Sequence, residues 1–375
     1  MSTAQIVLRH LNLQLATLRL RLNPARLEIK EPCMPLNPDD LWYEKNKKAK
    51  FFLLLLWPLS LLFGTVSALR RFFYRHGMIK SQSIKAAVII VGGITVGGSG
   101  KTPLSIALLK KLKAMGYTPG LISRGYKGKS DIYPLLVSKD TPAELCGDEP
   151  LLIKRSVLDE AMVAVDPNRV RGAKALCEKG CDVILSDDGM QHYSLRRDAE
   201  IVVLDGQRLL GNGFLLPAGP LREGKWRLKT CDMVVCNGGN ATPTGAHRMD
   251  LKLIYPQPLN KNTAPLAPKS KVWVLAGIGN PNRVRDSVKS LGFEIAGMLT
   301  PGDHGKVKLD DLTLATSTHP VVMTAKDAVK YSKCDVSGLY VLEVKAALSQ
   351  DFDDAFRSLV KNSLQQLAKR VKLDN

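Results

Sequence analysis

Little in this chain marks a metal or disulfide protein. Its seven cysteines include no CxxC pair, and neither Cys177/Cys181 nor Cys231/Cys236 has a His-rich half to complete a zinc site. They read as the reduced cysteines of a cytosolic protein. Acidic residues are scarce: 35 Asp and Glu stand against 54 Lys and Arg, a formal charge of +19 spread along the whole chain. That balance suits an acidic partner, whether membrane, nucleic acid or phosphorylated substrate. No nucleic-acid recognition motif accompanies it, which argues against a helicase or repair ATPase. Gly277-Ile278-Gly279 lacks the third glycine of a dinucleotide fingerprint. The length, 375 residues, suits about two domains.

What is present centres on residues 87–102, AVIIVGGITVGGSGKT. The β-branched run predicts a buried strand, and Pro103 to Leu109 has the apolar spacing of a first helical turn. Strand, glycine loop, GKT and helix make a phosphate-binding loop. Gly97, Gly98 and Gly100 free the backbone to aim N–H groups at phosphate oxygens, and the helix N-terminus adds partial positive charge. Lys101 is the residue to reach the β- and γ-phosphates, and the Thr102 hydroxyl suits Mg²⁺. Thr95, Val96 and Ser99 complete the expected nucleotide loop. Thr95 stands where the general pattern asks for glycine. An α/β pattern continues beyond the loop. An apolar strand ends at Asp187-Asp188, the usual place for carboxylates that hold Mg²⁺ or its water shell. Gly147-Asp148-Glu149-Pro150 opens a helix, where acidic residues also serve as caps.

One long apolar run stands out, FFLLLLWPLSLLFGTVSAL at 51–69, with Lys45, Lys47, Lys48 and Lys50 before it and Arg70, Arg71 and Arg75 after it. A signal peptide would export a nucleotide loop to a compartment without ATP, so that reading is set aside. Three remain: an anchor lying in the membrane surface, a spanning helix weakened by Pro58, Ser60, Gly64 and Ser67, and a buried core helix. The first is preferred, with Trp57, Tyr74 and the basic flanks at the headgroups.

Several motifs in one order now carry a family resemblance: WPLSLLFG (57–64), ITVGGSGKTP (94–103), SRGYKG (123–128), GDEPLL (147–152), VAVDPNRV (163–170), DDGMQH (187–192), LLPAGPLRE (215–223), GDH (302–304) and TAKDAVK (324–330). Across about residues 42–345 the chain resembles the tetraacyldisaccharide 4′-kinases, which act in lipid A biosynthesis. Thr95 resembles the family's own loop. Gly93, Ala325 and Gly305 depart from its usual residues.

The resemblance implies a P-loop kinase of mostly parallel α/β type, with a second, smaller α/β domain and an N-terminal membrane-associated helix. It implies MgATP as phosphoryl donor and the 4′-hydroxyl of a tetraacylated glucosamine disaccharide 1-phosphate as acceptor. Asp148 is then the catalytic carboxylate, with His304 as its partner and Lys101 on the phosphates. Arg124, Tyr126, Gln191 and His192 face the substrate. Thr102, Asp187, Asp188 and Glu223 are the metal-associated set. Apart from the resemblance, Gly/Pro-rich GNGFLLPAGPLREG at 211–224 reads as the boundary between domains. The expected organisation is therefore an unassigned extension at 1–41, an anchor region at 42–80, the P-loop kinase domain at 81–215, a domain closing a cleft at 216–350, and a C-terminal helix at 351–375. The expected setting is the cytoplasmic face of the inner membrane of a Gram-negative bacterium, as a monomer and without nucleic acid.

Rival P-loop readings each miss a residue. A dimeric partitioning ATPase needs a lysine where Val96 stands, and a GTPase needs [NT]KxD where TAKD at 324–327 only looks similar. A nucleotide-gated membrane adaptor stays open if Asp148 is only a helix cap.

Overall fold

The computed structural model describes residues 41–43, 47–240, 242–261, 263–302, 305–331 and 334–374. Most of the 1–41 extension and His304 therefore lie outside the described residues. In chain order the elements are α1 (Lys47–Arg75), β1 (Ala87–Gly92), α2 (Lys101–Ala114), β2 (Pro119–Ser123), β3 (Leu135–Leu136), α3 (Ala143–Cys146), α4 (Asp148–Val157), β4 (Met162–Val165), α5 (Arg169–Glu178), β5 (Val183–Asp187), β6 (Ala199–Asp205), β7 (Met233–Asn237), β8 (His247–Leu253), β9 (Gln257–Pro258), β10 (Lys271–Leu275), α6 (Pro281–Ser290), β11 (Glu294–Leu299), α7 (Leu309–Thr316), β12 (Val321–Thr324), α8 (Ala325–Ala328), β13 (Leu339–Leu342), β14 (Val344–Leu348) and α9 (Gln350–Asp374).

The chain divides into two compact units. One is Leu253–Val344; the other holds the described residues up to Lys252 together with the segment from Lys345 onward. The boundary expected at 216 falls inside the larger unit. The Gly/Pro-rich stretch there is a loop, and the sheet carries on beyond it through β7 and β8, each parallel to the strand before it. The C-terminal helix α9 also belongs to the larger unit. Phe352, Phe356 and Val360 are buried along it, and Arg370 donates to the buried Asp198 at 2.8 Å.

The larger sheet runs β14-β8-β7-β6-β1-β5-β2-β4-β3. β1 is flanked by β5 and β6, parallel to both. Every residue of β1 is buried, which is why AVIIVG shows no alternation: a parallel sheet covered on both faces wants apolar side chains at every position. Val88 and Ile90 enter one core with Ile122, Ile184 and Val202. The smaller sheet runs β11-β10-β12-β13-β9. Its strands split alternately between two cores, Trp273 and Leu275 on one face and Val272 and Val274 on the other.

Candidate active site

The site of the larger unit is built at the carboxyl end of β1. The loop 93–100 turns with positive φ at Gly97 (+100°) and Gly100 (+90°). Thr95 sits elsewhere, in an extended bridge to Leu221, so the residue that breaks the general pattern occupies a conformation any side chain can adopt. The bridge is reinforced by Val96 N donating to Pro220 O at 2.9 Å and Arg222 N to Ile94 O at 2.7 Å. Gly100 caps α2 with no side chain bonded to the first turn, leaving those N–H groups for an anion. Asn237, at the end of β7, supports the loop from below by donating to Ser99 O at 3.2 Å. The Ser99 hydroxyl is buried without a partner, as suits a group meant for a phosphate oxygen.

β5 lies beside β1 and delivers the two carboxylates. Asp188 adopts a left-handed φ of +47°, tolerated by a short polar side chain. Its oxygens face Lys101 Nζ at 3.7 Å and the Arg222 guanidinium at 2.9 Å. Burial pushes its carboxyl up, but Lys101 and Arg222 outweigh that and hold it below the usual carboxylate range. Asp187 is buried and accepts from the Ser105 hydroxyl at 3.4 Å. Burial, then the negative charges of Glu149 and Asp188, push it up to about 7. Behind both, the buried Arg169 donates to Ile122 O at 2.6 Å and Asp187 O at 2.7 Å, tying the ends of β2 and β5 together. Burial brings this guanidinium down to about 10.

Glycine packing sets the acceptor side. A Cβ on Gly125 would lie 2.3 Å from Val165, and one on Gly147 would lie 2.8 Å from Tyr126 O. Only glycines let the 123–128 turn lie directly on the start of α4. Asp148 opens α4 after Gly147, whose φ is +88°. Arg124 and Tyr126 are exposed on the adjoining turn. His192 is half-buried; burial, then Arg169, Arg124 and Arg70, depress it to about 4, so it is neutral at pH 7. Glu223 is buried, and both its oxygens are engaged, one by Gln191 Nε2 at 2.8 Å and the other by Arg227 Nε at 2.6 Å.

Residues 95–102, Asp187, Asp188, Arg124, Tyr126, Gln191, His192, Glu223 and Asp148 all belong to the larger unit, where contacts join Lys101 and Arg222 to Asp188 and Gln191 to Glu223. Three contributors are not singled out by the sequence. Arg169 and Arg222 lie within the VAVDPNRV and LLPAGPLRE motifs, which do not say what their side chains meet, and Asn237 ends β7 with no motif around it. Among the described residues no group of three or more His, Cys, Asp or Glu forms a metal cage. Mg²⁺ needs none, since it keeps several waters and binds through one or two carboxylates plus nucleotide phosphates. The charge-held Asp188, its Oδ1 buried without a hydrogen-bond donor, and the neighbouring Thr102 fit that role.

A glycine loop between a central parallel strand and an uncapped helix, with lysine and strand-end aspartates converging on it, defines a P-loop phosphotransferase. The comparisons narrow the class. The family model described as tetraacyldisaccharide-1-P 4′-kinase matches residues 52–362, and the chain belongs to that family. It is 42% identical over 329 residues to the tetraacyldisaccharide 4′-kinase of Shewanella sediminis, covering 84% of this chain and 95% of that one. It is 39% identical to that of Colwellia psychrerythraea, covering 87% and 96%. The solved "apo" form of LpxK from Aquifex aeolicus in complex with ATP aligns with a TM-score of 0.67 at 26% identity, covering 82% of this chain and 99% of that one.

Proposed function

We propose that the chain performs its family's reaction at the carboxyl edge of β1, β2 and β5, with Asp148 as the carboxylate that takes the proton of the sugar hydroxyl. The reaction transfers the γ-phosphoryl group of ATP to the 4′-hydroxyl of a tetraacylated glucosamine disaccharide 1-phosphate, giving lipid IVA. The observation that carries the assignment is Lys101 facing Asp188 at 3.7 Å, on an open helix N-terminus. Lys101 and the loop N–H groups hold the phosphates; Arg222 holds Asp188 in place. Thr102 and Asp188, with Asp187 behind, are the residues to hold Mg²⁺, which when bound neutralises charge on the phosphate oxygens. Asp148 needs only to orient the hydroxyl and accept its proton late. By family resemblance His304 is its partner.

The lipid acceptor stays in a bilayer, and α1 supports an anchor that lies in the cytoplasmic leaflet of the inner membrane. Leu54 is 72% exposed and Leu62 61%. The segment Phe51–Arg75 is long and apolar enough to cross a membrane, yet both sides of its first half hold the same loop. Trp42 Nε1 donates to Pro217 O at 3.1 Å, and Ser60 Oγ to Leu215 O at 2.9 Å. Further along, Arg71 stacks on Trp226 at 4.0 Å. A helix tied along its length to one domain leaves Lys47 to Leu59, about 20 Å at 1.5 Å per residue, short of the roughly 30 Å hydrocarbon core. We assign the chain as a monomer bound to that surface.

The test combines Asp148→Asn with the surface pair Leu54→Asp/Leu62→Asp. Asp148→Asn should bind ATP normally and lose about 10²–10⁴-fold in transfer. The α1 pair should lose flotation with anionic vesicles and retain ATP binding. An Asp148→Asn enzyme of near wild-type rate would remove Asp148 from the chemistry, whereas ATP binding by wild type without lipid phosphorylation would favour the adaptor reading.

A further inference from the structure

A buried charged network centred on Arg227 lies outside the phosphate loop. Arg227 is 1% exposed. Its guanidinium donates to Glu223 at 2.6 Å and to Glu200 at 2.8 Å. Glu200 also accepts from Arg197 at 2.9 Å, so two arginines balance two carboxylates. The carboxylate of Glu223 is therefore neutralised within the protein. Each of its oxygens already accepts one hydrogen bond, one from Gln191 and one from Arg227.

Each partner of Arg227 leads to a different part of the site. Glu200 is fixed on β6, next to β1. Glu223 adjoins Arg222, whose backbone is laced to Ile94 of the phosphate loop and whose side chain holds Asp188. The second oxygen of Glu223 holds Gln191 at 2.8 Å, in the turn that follows Asp188. On its outer side Arg227 adjoins Trp226, which is 45% exposed and lies under the Arg71 guanidinium of α1 at 4.0 Å.

We propose that Arg227 is a positioning residue for phosphoryl transfer: it clamps Glu223, and through it Gln191 and the Arg222–Asp188 pair, while Arg71 and Trp226 brace the clamp against the membrane helix. The proposal rests on the reading that Asp188 serves the Mg²⁺–nucleotide side of the site. The planar fork of arginine suits the task, since it meets two carboxylates in fixed directions, which lysine cannot do. Outer residues that orient metal-binding carboxylates typically affect metal affinity or activity by about 10–100-fold.

The experiment uses the full chain in detergent micelles with ATP and the lipid acceptor. It measures kcat, KM for lipid and the Mg²⁺ concentration at half-maximal rate, with a melting curve for each variant. Arg227→Gln should lower kcat about 10–100-fold and raise the Mg²⁺ midpoint by a similar factor, with KM for lipid little changed. Arg227→Lys should recover part of kcat and move the Mg²⁺ midpoint back toward wild type. Trp226→Ala leaves the buried carboxylates paired and should shift the Mg²⁺ midpoint in the same direction by a smaller factor; it decides the matter if Arg227→Gln does not fold. An unchanged Mg²⁺ midpoint, with activity falling only in step with lost folded protein, would overturn the proposal. Failure of Lys101→Ala to impair transfer would instead strike the reading of the site on which it rests.

Discussion

Two strand–glycine–helix units in this chain look alike and do opposite things. β1 leads through 93–100 into α2, and β10 leads through Gly277–Asn280 into α6. Both strands sit inside parallel sheets and both helices start after glycines. In the first, Gly100 caps α2 with no side-chain bond, and Lys101 stands at the opening. In the second, the Asn280 side chain accepts from Arg283 N and Pro281 fills the first turn, so the helix satisfies itself. The loop N–H of Gly277 is also taken, by the buried carboxylate of Asp327 at 3.0 Å. Asp327 is held in turn by Thr324 at 2.7 Å and Lys330 at 3.0 Å. One loop carries its own anion; the other leaves its donors for a ligand. An anion site is defined by the donors left open, not by glycine count.

The largest effect should come from breaking the open loop. Lys101→Ala is expected to lower kcat by at least about 10²-fold, as loss of a charge-stabilising donor does, with folding intact by circular dichroism. The closed loop should respond in stability instead. Asp327→Ala takes from the buried Lys330 the carboxylate that balances its charge, leaving its bond to Gly305 O at 2.9 Å, a loss of about 3–5 kcal/mol. Hydrogen exchange should show it as opening within 253–344, with ATP affinity of the larger unit unchanged. Asn280→Ala removes only a cap and should cost about 1 kcal/mol in the same measurement. A nucleotide-binding defect in either variant would erase the contrast between the loops.

The smallest effect is a pH slope. His192 titrates near 4 in the folded chain and near 6.5 when unfolded, so between those values the unfolded state binds a proton that the folded state does not. Stability therefore falls as pH drops from about 6.5 toward 4. His192→Asn should flatten that part of a plot of Tm against pH.

Much of this was legible in the sequence because local chemistry and fold agreed there. Strands β1, β2, β4, β5, β7, β10 and β12 follow from apolar runs ending at turns, and the loop residues follow from GGSGKT. The unit boundary was not legible, since Gly/Pro-rich 211–224 reads as a linker but is a loop laced to Ile94 and Thr95. Arg169, Arg222 and Arg227 were hidden for another reason. Arg169 and Arg222 stand in the VAVDPNRV and LLPAGPLRE motifs, yet most partners of the three are distant in the chain, and a motif does not say what its arginine will meet. Asp327 was legible only as part of TAKD, which resembles a guanine motif by spacing and serves as an internal anion by position.

The most direct measurement is transfer of labelled γ-phosphate from ATP to the tetraacylated disaccharide 1-phosphate by wild type, Lys101→Ala and Asp327→Ala, normalised to folded protein. The account predicts robust transfer by wild type, loss in Lys101→Ala and near wild-type transfer per folded molecule in Asp327→Ala. ATP turnover by wild type without lipid phosphorylation, or equal loss in both variants, would contradict it.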